Sequence, residues 1–294
     1  MKAPGAALLL AACASAAAAN GLFFDDFGET LAQGGWRLRS ASGHPGVPGA
    51  QWRADALGTV ADPEQPGNRL LRLRAQSDGT GAGTVQAQIC HARKYLHGTY
   101  AARVRFADQP LQGADGDPIV QAFYAVSPLA HAFDPNFSEV DWEYLPNGGW
   151  GSDKQRLYGI SWQTVRVEPW QSHNGAHEEF GSFDGWHVLL MQVEPEQVRL
   201  FVDGRQVARH AGRNVPVVPM SINFSLWFAP AGLLPPGGEP RVYTQDVDWV
   251  FHAAQRTLAP AEVAAQVAAL RREGRSRVDT VPEAQPPLAS DCDF

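Results

Sequence analysis

The chain predicts an all-β fold, a β-sandwich accompanied by one short C-terminal helix. Three observations carry that expectation. Short runs of alternating apolar and polar residues recur along the 294 residues. Glycine- and proline-rich turns separate the runs, and only one late stretch has helical spacing. Hydrophobic content of 44% against 19% charged residues is that of an ordinary globular protein, so one large domain with an ample core is expected. No internal repeat and no domain-dividing linker interrupts the pattern.

At the N-terminus, Lys2 precedes an apolar, Ala-rich run over residues 6–19 that is too short to span a bilayer permanently. With Ala17-Ala18-Ala19 ahead of Asn20, residues 1–19 read as a secretory signal. Leu10-Ala11-Ala12-Cys13 also fits the bacterial lipoprotein pattern, in which Cys13 would be acylated. The protein is therefore expected to be secreted or periplasmic, with lipid anchoring at the cell envelope as the alternative.

The body, residues 20–256, carries strand-like alternation at 70–75, 99–106, 188–193, 198–202 and 243–250. Asp203-Gly204 and the stretch 235–240 supply turns. Over residues 261–273, Val263, Val267 and Leu270 recur at i, i+4 and i+7, a narrow apolar stripe. Pro260 suits the first turn of that helix and Gly274 its stop. The helix should cap the sandwich, and the Pro-rich remainder of residues 257–294 should run as an extended tail.

Cys90 and Cys292 are the other two cysteines, and in an exported chain they are expected to pair. The bridge would pin the tail to the body; the alternative is one buried and one exposed thiol. His173, His177 and His187 cluster near Glu178 and Glu179, but match no zinc spacing and lack the helix that His-Glu-x-x-His requires. No metal site is expected there. His177 reads instead as a polar ligand contact on a groove loop, or as plain surface, and His187 as a strand residue.

Residues 138–144, Ser-Glu-Val-Asp-Trp-Glu-Tyr, carry the chemistry. On a strand, Glu139, Asp141 and Glu143 share one face, and Val140, Trp142 and Tyr144 the other. Three like charges in a row repel and gain a sheet nothing, so the structural alternative is a merely solvated acidic face. Hydrolysis of a sugar acetal, by contrast, needs paired carboxylates on a groove floor. Four strand residues place the outer Cα atoms about 13 Å apart, and two glutamates leaning together would bring their carboxyls to about 5–7 Å. That range overlaps inversion and leans toward the roughly 5–5.5 Å of the retaining mechanism.

Glu-x-Asp-x-Glu with aromatic neighbours resembles the signature of glycoside hydrolase family 16. Other segments resemble it in order. They are Phe23-Phe24-Asp25-Asp26-Phe27 with Trp36, Gly98-Thr99-Tyr100-Ala101-Ala102-Arg103-Val104, and Gly185-Trp186-His187 with Phe201-Val202-Asp203-Gly204. Pro219-Met220 with Leu226-Trp227, and Val247-Asp248-Trp249-Val250, complete the set. The resemblance implies a concanavalin A-like jelly roll with Glu139 as nucleophile, Glu143 as general acid/base and Asp141 between them. An ionised Glu139 would raise the pKa of Glu143 until the nucleophile is esterified. The unbulged spacing belongs to the subgroup of lichenases, xyloglucan endotransglycosylases and chitin–glucan crosslinkers, and tilts toward a β-1,4 or mixed-linkage glucan. Phe228, where an Asn often stands, and Val193, where a Trp is frequent, depart from those relatives.

Trp227, Trp162, Trp150 and Trp170 are the candidate sugar platforms, because pyranose C–H groups stack on aromatic rings; the alternative for each is core. Trp142 should be core by alternation. The net charge of −7 argues against nucleic acid and anionic membrane, and suits a neutral polysaccharide. The chain reads as a monomer needing no cofactor for chemistry. The resemblance also admits a structural calcium on the outer face, with no ligands identifiable. An endo-acting retaining β-glycanase is the expected function, with a transglycosylase or a non-catalytic lectin as alternatives.

Overall fold

The computed structural model describes residues 21–290 and Cys292. The expected signal segment and Cys13 lie outside the described residues. Strands are numbered in chain order. The first sheet runs β2 (Arg37–Leu38), β6 (Val85–Cys90), β15 (Ser221–Phe228), β8 (Ile119–Val126), β9 (Glu139–Leu145), β10 (Arg156–Arg166), β11 (Gln171–Phe180), antiparallel throughout. The second runs β4 (Leu57–Ala61), β5 (Arg69–Ser77), β16 (Arg241–Ala254), β7 (Gly98–Phe106), β12 (Gly185–Val193), β13 (Gln197–Val202), β14 (Arg205–Ala211). Along the far half of β16, β1 (Leu22–Asp25) and β17 (Arg277–Asp279) take the place of β5. Between Arg37–Leu38 and β4, β3 (Gln51–Trp52) pairs parallel with β6.

Alternation sorts the side chains into three apolar layers. Phe123, Trp142, Tyr144 and Phe224 from the first sheet meet Leu71, Tyr100, Val104 and Met191 from the second in the central core. On the outside of the second sheet, Phe24, Leu190, Trp249 and Phe251 are covered by Val263 and Val267 of helix α1 (Pro260–Arg272). That is the cap the i, i+4 stripe predicted. Glu262 accepts from the Ala259 backbone at 2.7 Å and opens the helix. The third layer lies on the exposed face of the first sheet and belongs to the site.

Two segments fold otherwise than their sequences suggest. Residues 173–179, read as a loop, form most of β11. Its polar, half-exposed alternation suits a sheet edge, where only β10 pairs with it among the first sheet's strands. In the tail, Arg277–Asp279 adds a strand beside β1 instead of running free.

Cys90 and Cys292 are disulfide-bonded, with Cα atoms 5.3 Å apart, so the tail is tied across β6. A bridge spanning 202 residues removes much denatured-state freedom. Cys292→Ser is expected to cost about 2–5 kcal/mol, read as a lowered denaturant midpoint at unchanged m-value. A second brace ties β16 to the segment before β8. Arg241 is ion-paired with Asp117 at 2.6 Å, both side chains almost fully buried, and Asp117 also accepts from the Leu234 N–H at 2.9 Å. Arg241→Ala strands that carboxylate and should destabilise by about 3–5 kcal/mol in equilibrium unfolding.

Candidate functional site

β9 lies in the middle of the first sheet, flanked by β8 and β10. Register sets Tyr158 opposite Glu143, Ile160 opposite Asp141 and Trp162 opposite Glu139. From the other side, Ala122, Tyr124 and Val126 face the same three acids. All nine positions share the face turned away from the central core. Trp142 and Tyr144 point into that core, fully buried, as alternation requires.

Glu139 and Asp141 are 6% and 3% exposed, so the acids stand in a recess and not on a solvated face. The Trp162 indole N–H donates to Asp141 Oδ2 at 2.7 Å. Glu139 Oε2 and Asp141 Oδ1 are buried without a hydrogen-bond partner among the described residues. Burial pushes all three carboxyls up. Glu143 is raised to about 7, with a hydrogen bond to Trp150 pulling the other way. Glu139 is raised by burial first, then by the charges of Asp141 and Glu143. Asp141 is raised by burial and by Glu143, against the Trp162 hydrogen bond. In so close a group, each acid's charge disfavours ionisation of the next. The leading cause of the shift on Glu143 is burial and not, as its strand spacing suggests, the charge of Glu139.

The four candidate platform tryptophans surround this cluster. Trp150 hydrogen-bonds Glu143 and lies 5.8 Å from Trp227, ring centre to ring centre. Trp150 has a positive φ of 51°, a backbone strain that aims its ring at the acid. Trp162, bonded to Asp141, meets Trp170 edge-on at 6.1 Å. Trp227 and Trp162 are nearly buried in the groove-face layer with Trp52, Val120, Tyr158 and Ile160, whereas Trp150 and Trp170 are about half exposed.

His177 does not join them. It pairs with Gly159 in register, which places it on the opposite face of β10–β11 from Trp162 and Tyr158. There it bonds Glu179 at 2.7 Å, and Glu179 bonds Arg205 of β14. Its place in a strand rather than a loop fixes this orientation. His187 lies in β12, as expected, and bonds Asp203. Phe228 and Val193 are both buried in the central core, so those departures from the family pattern do not touch the groove.

Several groove residues gave no signal in the sequence. Arg39 Nη1 donates to Gln88 Oε1 at 2.8 Å, Gln88 reaches Asn223 at 3.5 Å, and Asn223 donates to Ser221 Oγ at 2.8 Å. This polar chain crosses β6 and β15 beside the acids. Burial and the neighbouring Glu139 charge raise the Tyr124 hydroxyl, which is hydrogen-bonded to Ser225. Strand register brings these together from distant segments, which no local pattern in β6 or β15 reveals. Among the described residues, no group of three or more His, Cys, Asp or Glu side chains is placed to hold a metal ion. None of their helices is long and apolar enough to cross a membrane.

About four-fifths of the chain is similar to solved β-glucanase structures. A Bacillus licheniformis β-glucanase aligns with a TM-score of 0.56 at 17% identity, covering 81% of this chain and all (100%) of that one. A prokaryotic β-1,3-1,4-glucanase (lichenase) from a mouse hindgut metagenome gives 0.54 at 20% identity, over 79% and 98%. A Bacteroides ovatus mixed-linkage-glucan family 16 protein, in complex with its product, gives 0.59 at 14% identity, over 78% and 98%. At such identities these likenesses speak for the fold. No curated protein sequence matches. The sequence model described as "Glycosyl hydrolases family 16" matches residues 57–250, a span that holds Glu139, Asp141, Glu143 and Trp227. With most of its length inside that match, the chain belongs to glycosyl hydrolase family 16.

Proposed function

We propose that the protein is an exported endo-β-glycanase that cleaves a neutral polysaccharide, most simply a β-glucan, with retention of configuration. The observation that carries this reading is the recess in which Glu139, Asp141 and Glu143 share one face of β9 among four tryptophans. Glu139 attacks the anomeric carbon, forming the C–O bond of a glycosyl ester as the bond to the leaving oxygen breaks. Glu143 gives its proton to that oxygen. Esterification removes a negative charge from the cluster, so the pKa of Glu143 falls and it can take a proton from incoming water. Water then attacks the anomeric carbon from the face the leaving group vacated, and Glu139 departs as carboxylate. Asp141, oriented by Trp162, tunes the charge of Glu139. Trp150 and Trp227 give the sugar ring apolar faces beside Glu143.

No step in this sequence calls for a metal or organic cofactor. The Cys90–Cys292 bridge fits an oxidising compartment, which supports export. The test is digestion of barley mixed-linkage glucan, laminarin, xyloglucan, galactan and agarose, with products read by mass spectrometry and Glu139→Gln as blank. Short oligosaccharides from one polymer, absent with the variant, are the expected result. Binding without products from any polymer would replace the enzyme with a lectin, or with a transglycosylase lacking its acceptor.

A further inference from the structure

The loop between β2 and β3 crosses the face that carries the acids. It is rooted at one edge of the first sheet, and the turn between β10 and β11 at the other. Yet His44 of the loop stacks on Trp170 of that turn, 5.8 Å between ring centres at 28°. Trp170 in turn rests on Trp162, whose indole is bonded to Asp141. The loop is held from beneath. Arg39 donates to the Ala41 and His44 carbonyls at 3.0 and 2.9 Å, and Trp52 donates to the Gly43 carbonyl at 3.1 Å. The Arg39 guanidinium itself lies over the Trp52 ring, 4.3 Å from its centre. At Gly46 the strand β6 side chain Gln86 comes so close that an added Cβ would lie 2.4 Å from its oxygen, at a φ of 117° that itself favours glycine. Three carbonyls satisfied by Arg39 at the strap's root and by Trp52 of β3 fix the strap in place over the cleft, a pre-organised feature and not a dangling loop.

We propose that the 39–50 strap, clasped by His44 to Trp170, roofs the cleft beside the catalytic acids and makes the protein selective for unbranched glycan segments. The proposal rests on the glycan-cleaving function above. An undecorated backbone is a ribbon narrow enough to lie beneath a roof. A sugar carrying a side branch must project that branch out of the cleft, where the strap and Trp170 stand. His44 and Trp170 are thereby specificity-determining: their contact sets whether branches are excluded, while Glu139 and Glu143 act on whatever backbone is admitted.

The test compares two linear–branched pairs: barley mixed-linkage glucan against xyloglucan, and curdlan against β-1,6-branched scleroglucan. The first pair differs in backbone linkage as well as branching; the second shares one backbone and so carries the decisive ratio. Wild-type protein is expected to cleave the linear member of its preferred pair at least 50-fold faster than the branched one. His44→Ala, which opens the clasp, should narrow that ratio at least fivefold, with the linear rate within twofold of wild type. Trp170→Ala should narrow the ratio similarly whatever it does to the linear rate. A ratio unchanged in both folded variants, or equal cleavage of both members by wild type, would overturn the proposal. If wild type cleaves none of the four, retention in affinity gels decides the strap by itself. Retention of the linear polymer only by wild type, with the branched one also retained by His44→Ala, upholds it; equal retention of both by wild type, or of neither, overturns it.

Discussion

Glu139→Gln should lower turnover by at least about 10⁴-fold, a loss of roughly 5.5 kcal/mol of transition-state stabilisation, while folding and glycan retention persist. The amide keeps the size of the side chain but cannot form the glycosyl ester, so the double displacement has no first step. Structure should tolerate the change well. Glu139 is 6% exposed and one of its carboxyl oxygens has no partner among the described residues, so a neutral group replaces one that burial and two neighbouring acids already disfavour as an anion. Glu139→Ala supplies the sharper diagnosis. With room made beside the anomeric carbon, added azide or formate should restore cleavage of an activated aryl glycoside, and the azide adduct should carry inverted configuration. Restoration with retained configuration would assign the nucleophile elsewhere. Restoration in Asp141→Ala, and not in Glu139→Ala, would move the role to Asp141.

Much of this site is legible in seven consecutive residues because a strand converts local spacing directly into a shared face. Glu139, Asp141 and Glu143 need no tertiary information to be aligned; they need only to be on β9. Trp142 was assigned to the core by the same rule and is fully buried. The helix over Pro260–Arg272 was equally local, a stripe with a Pro start and a Gly stop. The features that escaped depend on which strands become neighbours. His177 faces away from the groove because register places it opposite Gly159, and no reading of residues 173–179 alone predicts register. The Arg39–Gln88–Asn223 chain joins three segments separated by 49 and 135 residues, each with an ordinary polar residue at an ordinary place. The contact of His44 with Trp170 is less visible still, since both belong to connections whose paths only the assembled sheet determines. The sequence rule for pKa failed in a related way. It counted the charge of one neighbour, whereas the cause that dominates for Glu143 is how deeply the groove encloses it.

That enclosure has two consequences which a single variant, Glu143→Gln, should separate from each other. The first is catalytic. With its carboxyl raised to about 7, Glu143 is the protonated acid below that pH and loses its proton above it. The rate profile kcat/KM should therefore fall on its alkaline limb with an apparent pKa near 7, and on its acid limb as the nucleophile takes up a proton. In Glu143→Gln the alkaline limb should vanish. The remaining rate should depend steeply on the leaving group: near normal for dinitrophenyl glycosides in the first step, and lowest for unactivated polymer. The second consequence is energetic and has a definite sign. A carboxyl whose folded pKa stands above its ordinary value of 4.5 favours the fold while protonated, fully so below pH 4.5, and that contribution is lost as pH rises through about 7. At pH 8 the wild-type protein thus carries a penalty on the order of 3 kcal/mol for keeping Glu143 ionised in its recess. Glu143→Gln removes the penalty, so the variant should unfold at a higher temperature than wild type at pH 8, and the advantage should shrink to little or nothing near pH 4. A variant that loses polymer cleavage yet gains stability only on the alkaline side would tie both effects to one buried proton. A gain of the same size at both pH values would mean that the glutamine simply packs better, and the shift at Glu143 would then have no part in the pH profile.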